Sequence, residues 1–150
     1  MKHLIIVIGL VNFLIAEHPT EHPSEHPTVA KSPKLTISQL AESIEKYIQQ
    51  DVELKGGFFV FDVKKDEVLN LTLSKIHKER LSNIGNNTYF ACADFQASNG
   101  KVYDLDIFMI GKSQNDLVVT EINVHKENGI ARYGWQDHRG IWEKIYFRGE

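Results

Sequence analysis

The spacing of hydrophobic and polar positions in this chain changes at one place, the pair Gly56-Gly57. Before this pair, apolar residues recur every three or four positions, and Thr36 followed by Gln39 matches a capping box. This pattern predicts a helix from Ile37 to Gln50. The apolar positions that define it are Ile37, Leu40, Ile44, Tyr47 and Ile48.

After the glycine pair, apolar and polar residues alternate, and β-branched and aromatic residues become frequent. Alternation of this kind is typical of strands with one buried face. The predicted strands are Phe58 to Val63, Val68 to His77, Tyr89 to Ala97, Lys101 to Ile110, Leu117 to Lys126, Ile130 to Gln136 and Ile141 to Phe147.

Two Asn-Gly pairs, Asn99-Gly100 and Asn128-Gly129, each separate two alternating runs and favour two-residue type I′ turns. Such turns determine which residues face one another across each hairpin. The first turn predicts that Phe90, Cys92, Asp94 and Gln96 share a face with Met109, Ile107, Leu105 and Tyr103. The second predicts Glu127 opposite Ile130, with Ile122 and Val124 opposite Trp135 and Tyr133.

One helix followed by an antiparallel meander, apolar on one side, predicts an α+β domain whose sheet curls around the helix. The order of elements over residues 36 to 136 resembles the cystatin-like and NTF2-like folds. The chain contains neither the cystatin Gln-Val-Gly loop nor a catalytic signature of the NTF2-like enzymes. The resemblance therefore implies an architecture, and no functional residue follows from it.

The first 16 residues combine Lys2 with an apolar run and end at Ala16 before Glu17. This pattern predicts a signal peptide cleaved after Ala16, and hence export to a periplasmic or extracellular location, free of the membrane after cleavage. An uncleaved membrane anchor is the alternative, although the run is short for a bilayer of about 30 Å.

Residues 17 to 34 contain three repeats of Glu-His-Pro-Thr/Ser and all four prolines of the chain. Recurring proline favours polyproline II or disorder, so this segment is predicted to be a tether. Its histidines are candidate ligands for weakly bound Zn²⁺, Ni²⁺ or Cu²⁺, because each follows a carboxylate. A plain spacer and a protein-docking peptide are the alternatives. The candidate ligands are His18, His22 and His26.

Composition restricts the possible functions. With 150 residues, 42% of them hydrophobic, the chain has room for one core, predicted to occupy residues 35–150. A net charge of -3 argues against a nucleic-acid partner. The single cysteine, Cys92, excludes a disulfide scaffold. No cofactor motif is present, and the oligomeric state is open.

Polar residues alternate on two neighbouring predicted strands. If Met109 pairs with Val118, Asp106 lies opposite Glu121, and the two carboxylates form a candidate acid–base pair with His125 as proton carrier. The alternative is an ordinary solvated sheet face without chemistry. The full set is Asp104, Asp106, Glu121, Asn123 and His125, with Asp104 predicted opposite Asn123.

Asp94 is the candidate for a perturbed pKa, because the predicted register places it on the apolar face beside Leu105. The alternative is that it lies near the solvated end of the sheet. Cys92 is predicted on the same face, between Phe90 and Ile107 and without a histidine partner. It is therefore interpreted as a small core residue and not as a nucleophile.

The C-terminal segment holds both tryptophans of the chain together with several tyrosines and arginines. This composition is typical of protein interfaces, although closing the sheet against the helix would use the same residues. Core closure is the prediction for Tyr133 and Trp135. The candidate binding residues are Arg132, Trp142 and Tyr146.

Two classes of function remain. We favour an exported binding or accessory module that contacts a protein partner, and the alternative is a small NTF2-like enzyme or ligand-binding protein. The two classes differ in the space between helix and sheet. A binding module should fill it, whereas an enzyme should leave a pocket lined by polar groups such as Asp94 and Tyr103. The filled core would contain Ile44, Tyr47, Leu105, Ile107 and Met109.

Overall fold

The computed structural model describes residues 35–139 and 141–147. The predicted signal peptide and the Glu-His-Pro segment, with His18, His22 and His26, lie outside these residues. The described elements, in chain order, are α1 (Ile37–Lys55), β1 (Phe58–Asp62), β2 (Glu67–Ile76), β3 (Ser82–Gly85), β4 (Thr88–Ala97), β5 (Val102–Ile110), β6 (Val118–Glu127), β7 (Ile130–Ala131), β8 (Tyr133–His138) and β9 (Ile141–Tyr146), with short 3-10 turns at Lys78–Arg80 and Gln114–Asp116.

Helix α1 begins at the predicted capping box. The amide of Gln39 donates to Thr36 Oγ1 at 3.2 Å, and the Thr36 amide donates to Gln39 Oε1 at 2.9 Å. The helix continues past the predicted end to Lys55 and stops at Gly56, which adopts φ +77°. The last turn is mostly exposed, although Val52 continues the four-residue spacing of Leu40, Ile44 and Ile48, so the predicted end was too early. No helix in the described ranges is long and apolar enough to span a membrane.

The strands form a curled antiparallel sheet in the order β1-β2-β4-β5-β6-β7, with α1 packed against it. The α+β class is therefore confirmed. Strand β3 was not predicted, and it pairs with the first half of β4 beside the end of β2. The predicted strand Ile130 to Gln136 is two strands, because the chain leaves the sheet at Arg132 and β8 pairs only with β9. The predicted pairing of Ile122 and Val124 with Trp135 and Tyr133 is wrong for the same reason.

The two Asn-Gly turns differ. Asn128 and Gly129 both have positive φ, and Glu127 faces Ile130, as the type I′ prediction requires. At the first turn only Gly100 has positive φ, and its amide donates to the Ala97 carbonyl at 3.0 Å. The loop thus contains three residues instead of two, a type I turn closed by a glycine bulge.

The extra loop residue shifts the β4–β5 register by one position. Phe90 faces Phe108, Cys92 faces Asp106, and Asp94 faces Asp104. Because a one-residue shift exchanges the two faces of a strand, the predicted β4 face is wrong. Asp94 is not beside Leu105 but lies on the opposite, outer face with Cys92.

The inner face of the sheet packs against α1 in a core that is almost entirely apolar. Leu40 and Ile44 of the helix, with Leu105 and Ile107 of the sheet, have no exposed surface. Tyr103 is also fully buried, and Tyr47 packs against the core from the helix. Burial of this kind is the main contribution to folding stability.

The middle of the outer face of β4 and β5 is also buried, because the β8–β9 hairpin covers it. Trp135 makes edge contacts with the rings of Phe90 and Phe108, at centroid distances of 6.4 and 5.6 Å. Tyr133 and Trp135 are 3% and 5% exposed, so their predicted core role is confirmed. They close the face of the sheet opposite the helix, however, and not the end next to it.

The curled sheet is held together where β1 approaches the β6–β7 turn. Arg132 donates to both carboxylate oxygens of buried Asp62, at 2.6 and 2.8 Å, and to Glu127 at 3.0 Å. Lys65 and Lys101 also donate to Glu127, at 2.5 and 2.6 Å. These ion pairs join the two ends of the sheet into a half-barrel.

Candidate functional site

The buried outer face contains a group of ionisable side chains, Asp104, Asp106 and His125, which we call the carboxylate–imidazole cluster. Asp106 and His125 have no exposed surface, and Asp104 is 6% exposed. Asp104 and Asp106 point to the same face because they are two residues apart on β5. The sequence predicted this polar face, but as a solvated one.

His125 joins the cluster through a β-bulge. On β6, Val124 pairs with Leu105 and Lys126 pairs with Asp104, so His125 is the extra residue between them. Its Nδ1 atom lies 3.6 Å from Asp104 Oδ1 and 3.5 Å from Asp106 Oδ1. The bulge therefore places the imidazole between the two carboxylates.

The hairpin holds two members of the cluster in position. Tyr133 Oη donates to Asp106 Oδ2 at 2.8 Å, and Trp135 Nε1 donates to the same oxygen at 3.1 Å. His125 Nε2 lies 3.0 Å from the Tyr133 carbonyl oxygen. Since a carbonyl can only accept, Nε2 carries the hydrogen, and the Nδ1 atom is the one that faces the carboxylates.

Asp104 is bound from the other side. Cys92 Sγ donates to Asp104 Oδ1 at 2.9 Å, and Arg80 Nη1 lies 3.9 Å from Asp104 Oδ2. Cys92 is fully buried, as expected of a small core residue. The predicted neighbour Ile107 is wrong, because the corrected register puts Cys92 opposite Asp106. Burial, and next the neighbouring Asp104, raises the pKa of the Cys92 thiol, which keeps it protonated.

The two carboxylates titrate differently. Burial raises the pKa of Asp106 to about 6, although His125, Tyr133 and Trp135 all oppose this change. Burial also acts to raise the pKa of Asp104, but the neighbouring His125 imidazole and the hydrogen bond from Cys92 outweigh it and leave the pKa below its usual range. Asp104 is therefore ionised at neutral pH, whereas Asp106 gains a proton when the pH falls to about 6.

The cluster lies under a groove of about 300 Å³ whose lining includes His77, Arg80, Asp94, Asp104 and Lys126. Here Asp94 Oδ2 contacts His77 Nε2 at 3.0 Å. Asp94 is thus half-buried beside His77 at the mouth of the groove, and not on the apolar face for which a perturbed pKa was predicted.

Glu121 does not join the cluster. Two further positions were predicted wrongly: Met109 pairs with Val119, and Asp106 faces Asn123 instead of Glu121. The actual partner of Glu121 is Lys144 of the hairpin, whose Nζ is 2.6 Å away. The predicted register is wrong by one residue already at the loop, where Ile110 pairs with Val118, and the bulges at Thr120 and His125 each shift it by one residue more. Alternation alone reveals neither the loop geometry nor a bulge. Asp104 faces Lys126 and not the predicted Asn123.

A second feature, which we call the aromatic cleft, opens between the end of β1, the middle of β6 and the hairpin. It has a volume of about 500 Å³, and its apolar lining includes Phe61, Val63, Ile122, Tyr146 and Phe147. Four of these side chains are strongly exposed: Phe61 53%, Val63 82%, Tyr146 69% and Phe147 44%. The sequence pointed to Tyr146, but it did not indicate that β1 completes the surface.

The three predicted binding residues have different positions. Tyr146 lies in the aromatic cleft opposite Tyr133 in the hairpin. Arg132 reaches the same cleft, but its guanidinium is engaged by Asp62 and Glu127. Trp142 is half-buried opposite Asp137 and does not line the cleft.

Comparison of the chain with protein-family models, curated proteins and solved structures found no match.

Proposed function

We propose that this chain is an exported binding module that recognises an extended segment of a partner protein at the aromatic cleft. The observation that carries the proposal is the exposure of Phe61, Val63, Tyr146 and Phe147 around one cavity. Large apolar side chains gathered on an open surface are typical of interaction sites, whereas scattered ones need no explanation.

The position of β1 supports an extended peptide as the occupant. β1 is the terminal strand of the sheet, and it alternates buried Phe58 and Val60 with exposed Phe59 and Phe61. A terminal strand offers backbone groups to a further strand, and alternating pockets then select the side chains of the added segment. The apolar lining favours a partner segment with aromatic or aliphatic residues.

The centre of the helix–sheet core is filled, which favours a binding module over an enzyme, and the polar cleft of about 480 Å³ at its edge, between α1 and the turn at Gln114–Asp116, includes neither Asp94 nor Tyr103. Leu105, Ile107 and Met109 are at most 1% exposed, and Tyr103 is buried among them instead of lining a pocket. The ionisable cluster on the outer face is too deeply buried to meet a substrate directly. Within the α+β class we propose the cystatin-like arrangement over the NTF2-like one, because the latter builds its function on a pocket at this position.

The proposal is tested with peptides selected from a random library against the full mature chain. Phe61→Ser should weaken the selected peptides at least tenfold, because a central aromatic anchor typically contributes 1–2 kcal/mol or more. Leu54→Ser is the matched control: Leu54 is 82% exposed at the end of α1 and does not line the cleft. Nuclear magnetic resonance shifts should concentrate at residues 61–64 and 122–124.

Failure to enrich any peptide, or equal weakening by Phe61→Ser and Leu54→Ser, would contradict the binding proposal. The export proposal is tested separately by the mass of the protein recovered outside the cytoplasm. A chain that starts at Glu17 supports cleavage, and a chain that retains Met1 and stays with the membrane after a carbonate wash overturns it.

A further inference from the structure

We propose that the carboxylate–imidazole cluster binds one divalent transition-metal ion of the Zn²⁺ class, through Asp104, Asp106 and His125. This site is distinct from the aromatic cleft and from the histidine repeat, and it does not depend on the proposed function. An imidazole nitrogen and carboxylate oxygens are ligands that zinc and its neighbours accept. Nδ1 of His125 and one oxygen of each aspartate lie within 4.8 Å of one another.

The spacing of the ligand atoms fits a metal better than a hydrogen bond. His125 Nδ1 is 3.6 Å from Asp104 Oδ1 and 3.5 Å from Asp106 Oδ1. A charge-assisted N–H···O bond would bring the atoms to about 2.7–2.9 Å. Ligands around tetrahedral zinc, with bonds of about 2.0–2.1 Å, stand roughly 3.3–3.4 Å apart. The two separations between the imidazole nitrogen and the carboxylate oxygens are thus close to those around such an ion.

The residues around Asp106 and His125 hydrogen-bond to them in the way that residues next to the ligands do in known metal sites. A metal-binding histidine commonly donates its other ring N–H to a backbone carbonyl, and His125 Nε2 is 3.0 Å from the Tyr133 oxygen. Ligating carboxylates are in turn hydrogen-bonded, and Asp106 Oδ2 accepts from Tyr133 and Trp135. These hydrogen bonds use His125 Nε2 and Asp106 Oδ2, so His125 Nδ1 and Asp106 Oδ1 face each other inside the cluster.

The local charges allow a cation and provide it with a path. Asp104 and Asp106 bring two negative charges into a buried site, and the groove lined by His77 and Asp94 leads to Asp104. Arg80 Nη1 lies 3.9 Å from Asp104 Oδ2. The proposed ligand atom is the other oxygen of this carboxylate, Oδ1. Arg80 and Lys126, which both line the groove, are the positive charges that oppose a cation there. A proton on the cluster is the competing occupant.

The test uses the mature chain with His18, His22 and His26 replaced by alanine, so that the repeat cannot bind metal. This chain should take up one equivalent of Zn²⁺ in a calorimetric titration, and Co²⁺ should give a visible absorption band. Its thermal midpoint should rise with metal concentration, because an ion bound only to the folded state stabilises it by mass action. A tail site would leave the midpoint unchanged.

Variants locate the ion. His125→Gln should lower the affinity at least a hundredfold, and Tyr133→Phe, which touches no metal, should lower it about tenfold by releasing Asp106. Glu121→Gln is the control, since Glu121 is exposed and bound to Lys144 outside the cluster. Circular dichroism checks that each variant folds, and Tyr133→Phe keeps the test usable if His125→Gln does not.

The absence of saturable metal uptake by the chain that lacks His18, His22 and His26 would overturn the proposal. Equal uptake by His125→Gln, by Tyr133→Phe and by the parent chain would overturn it as well, because the ion would then lie elsewhere.

Discussion

The central strands β4 and β5 are buried on the whole inner face and in the middle of the outer face, but the two buried regions differ in chemistry. The inner face of β4 and β5 presents residues such as Phe95, Leu105 and Ile107 to the helix, and all three have no exposed surface. The outer face presents Asp104 and Asp106, among other residues, to an aromatic hairpin. One pair of strands therefore supports an apolar core and a polar one, back to back.

The apolar inner core and the polar outer core place different demands on the side chains that form them. An apolar core gains stability from area and packing, which depend little on the direction of any one contact. A polar core requires that each donor and acceptor finds a partner, because an unpaired buried group costs more than a satisfied bond contributes. Proteins keep such polar groups most often where they serve a site.

Removing a large side chain from the inner face should have the greatest effect on stability. Phe95 is fully buried and stacks on Phe58 at a centroid distance of 5.4 Å. Phe95→Ala should lower the free energy of unfolding by about 4 kcal/mol, through lost burial and the cavity left behind. Urea unfolding of the two proteins measures the change. A loss below about 1 kcal/mol would show that the core rearranges to fill the space.

One hydroxyl deletion should have opposite consequences on the two faces. Tyr133→Phe removes a hydrogen bond to buried Asp106 and should cost about 2 kcal/mol, the range for bonds to charged groups. On the inner face, the Tyr89 hydroxyl is buried and has no hydrogen-bond partner among the described residues. Tyr89→Phe should therefore be neutral or slightly stabilising. Equal losses in the two variants, measured by urea unfolding, would remove the proposed difference between the faces.

The outer face should also show its own pH dependence. The pKa of Asp106 is raised to about 6 from its usual 3.8, so between these values the folded state holds a proton that the unfolded state has lost. This group therefore lowers stability as the pH rises from 4 to 6. Asp106→Asn should gain stability relative to the parent protein over this range, on the order of 2 kcal/mol. Unfolding is measured with a chelator present, and parallel profiles would contradict the prediction.

The ion pairs that close the half-barrel should respond to pH with the opposite sign and the smallest effect. Lys101, Lys65 and Arg132 lower the pKa of Glu127 to about 2, so its stabilising contribution is complete above pH 4.5 and disappears as the pH falls toward 2. Because Glu127 is near the surface, Glu127→Gln should cost less than about 1 kcal/mol at pH 7. The difference from the parent protein should vanish in acid, and a cost that persists at pH 2 would mean that packing is responsible.

The sequence predictions that are confirmed concern interactions between residues close together in the chain. The capping box at Thr36 and the turn at Asn128-Gly129 depend on neighbouring residues, and both are confirmed. The turn at Asn99-Gly100 has the same dipeptide but is one residue longer, because only Gly100 takes the left-handed conformation. Composition does not distinguish the two loops, since strand pairing and twist beyond the turn select between them.

The candidate site was predicted in part. Alternation placed Asp104 and Asp106 on one face of β5, and it placed His125 on the neighbouring strand. It did not predict the bulge that turns His125 between them, nor that Tyr133 and Trp135 fold over this face. Each of these depends on contacts between residues distant in the chain, which a local pattern does not contain.

The amino-acid sequence by itself determined the helix, nearly all the strands and the α+β class, because hydrophobic period and turn chemistry act over a few residues. Only the tertiary structure decided which face of β4 is internal, since one additional loop residue exchanges the faces. It also decided that the polar face is buried. The hairpin leaves the sheet at Arg132, where the ion pair with Asp62 joins the two ends of the half-barrel, and the aromatic rings that follow exclude water from Asp106.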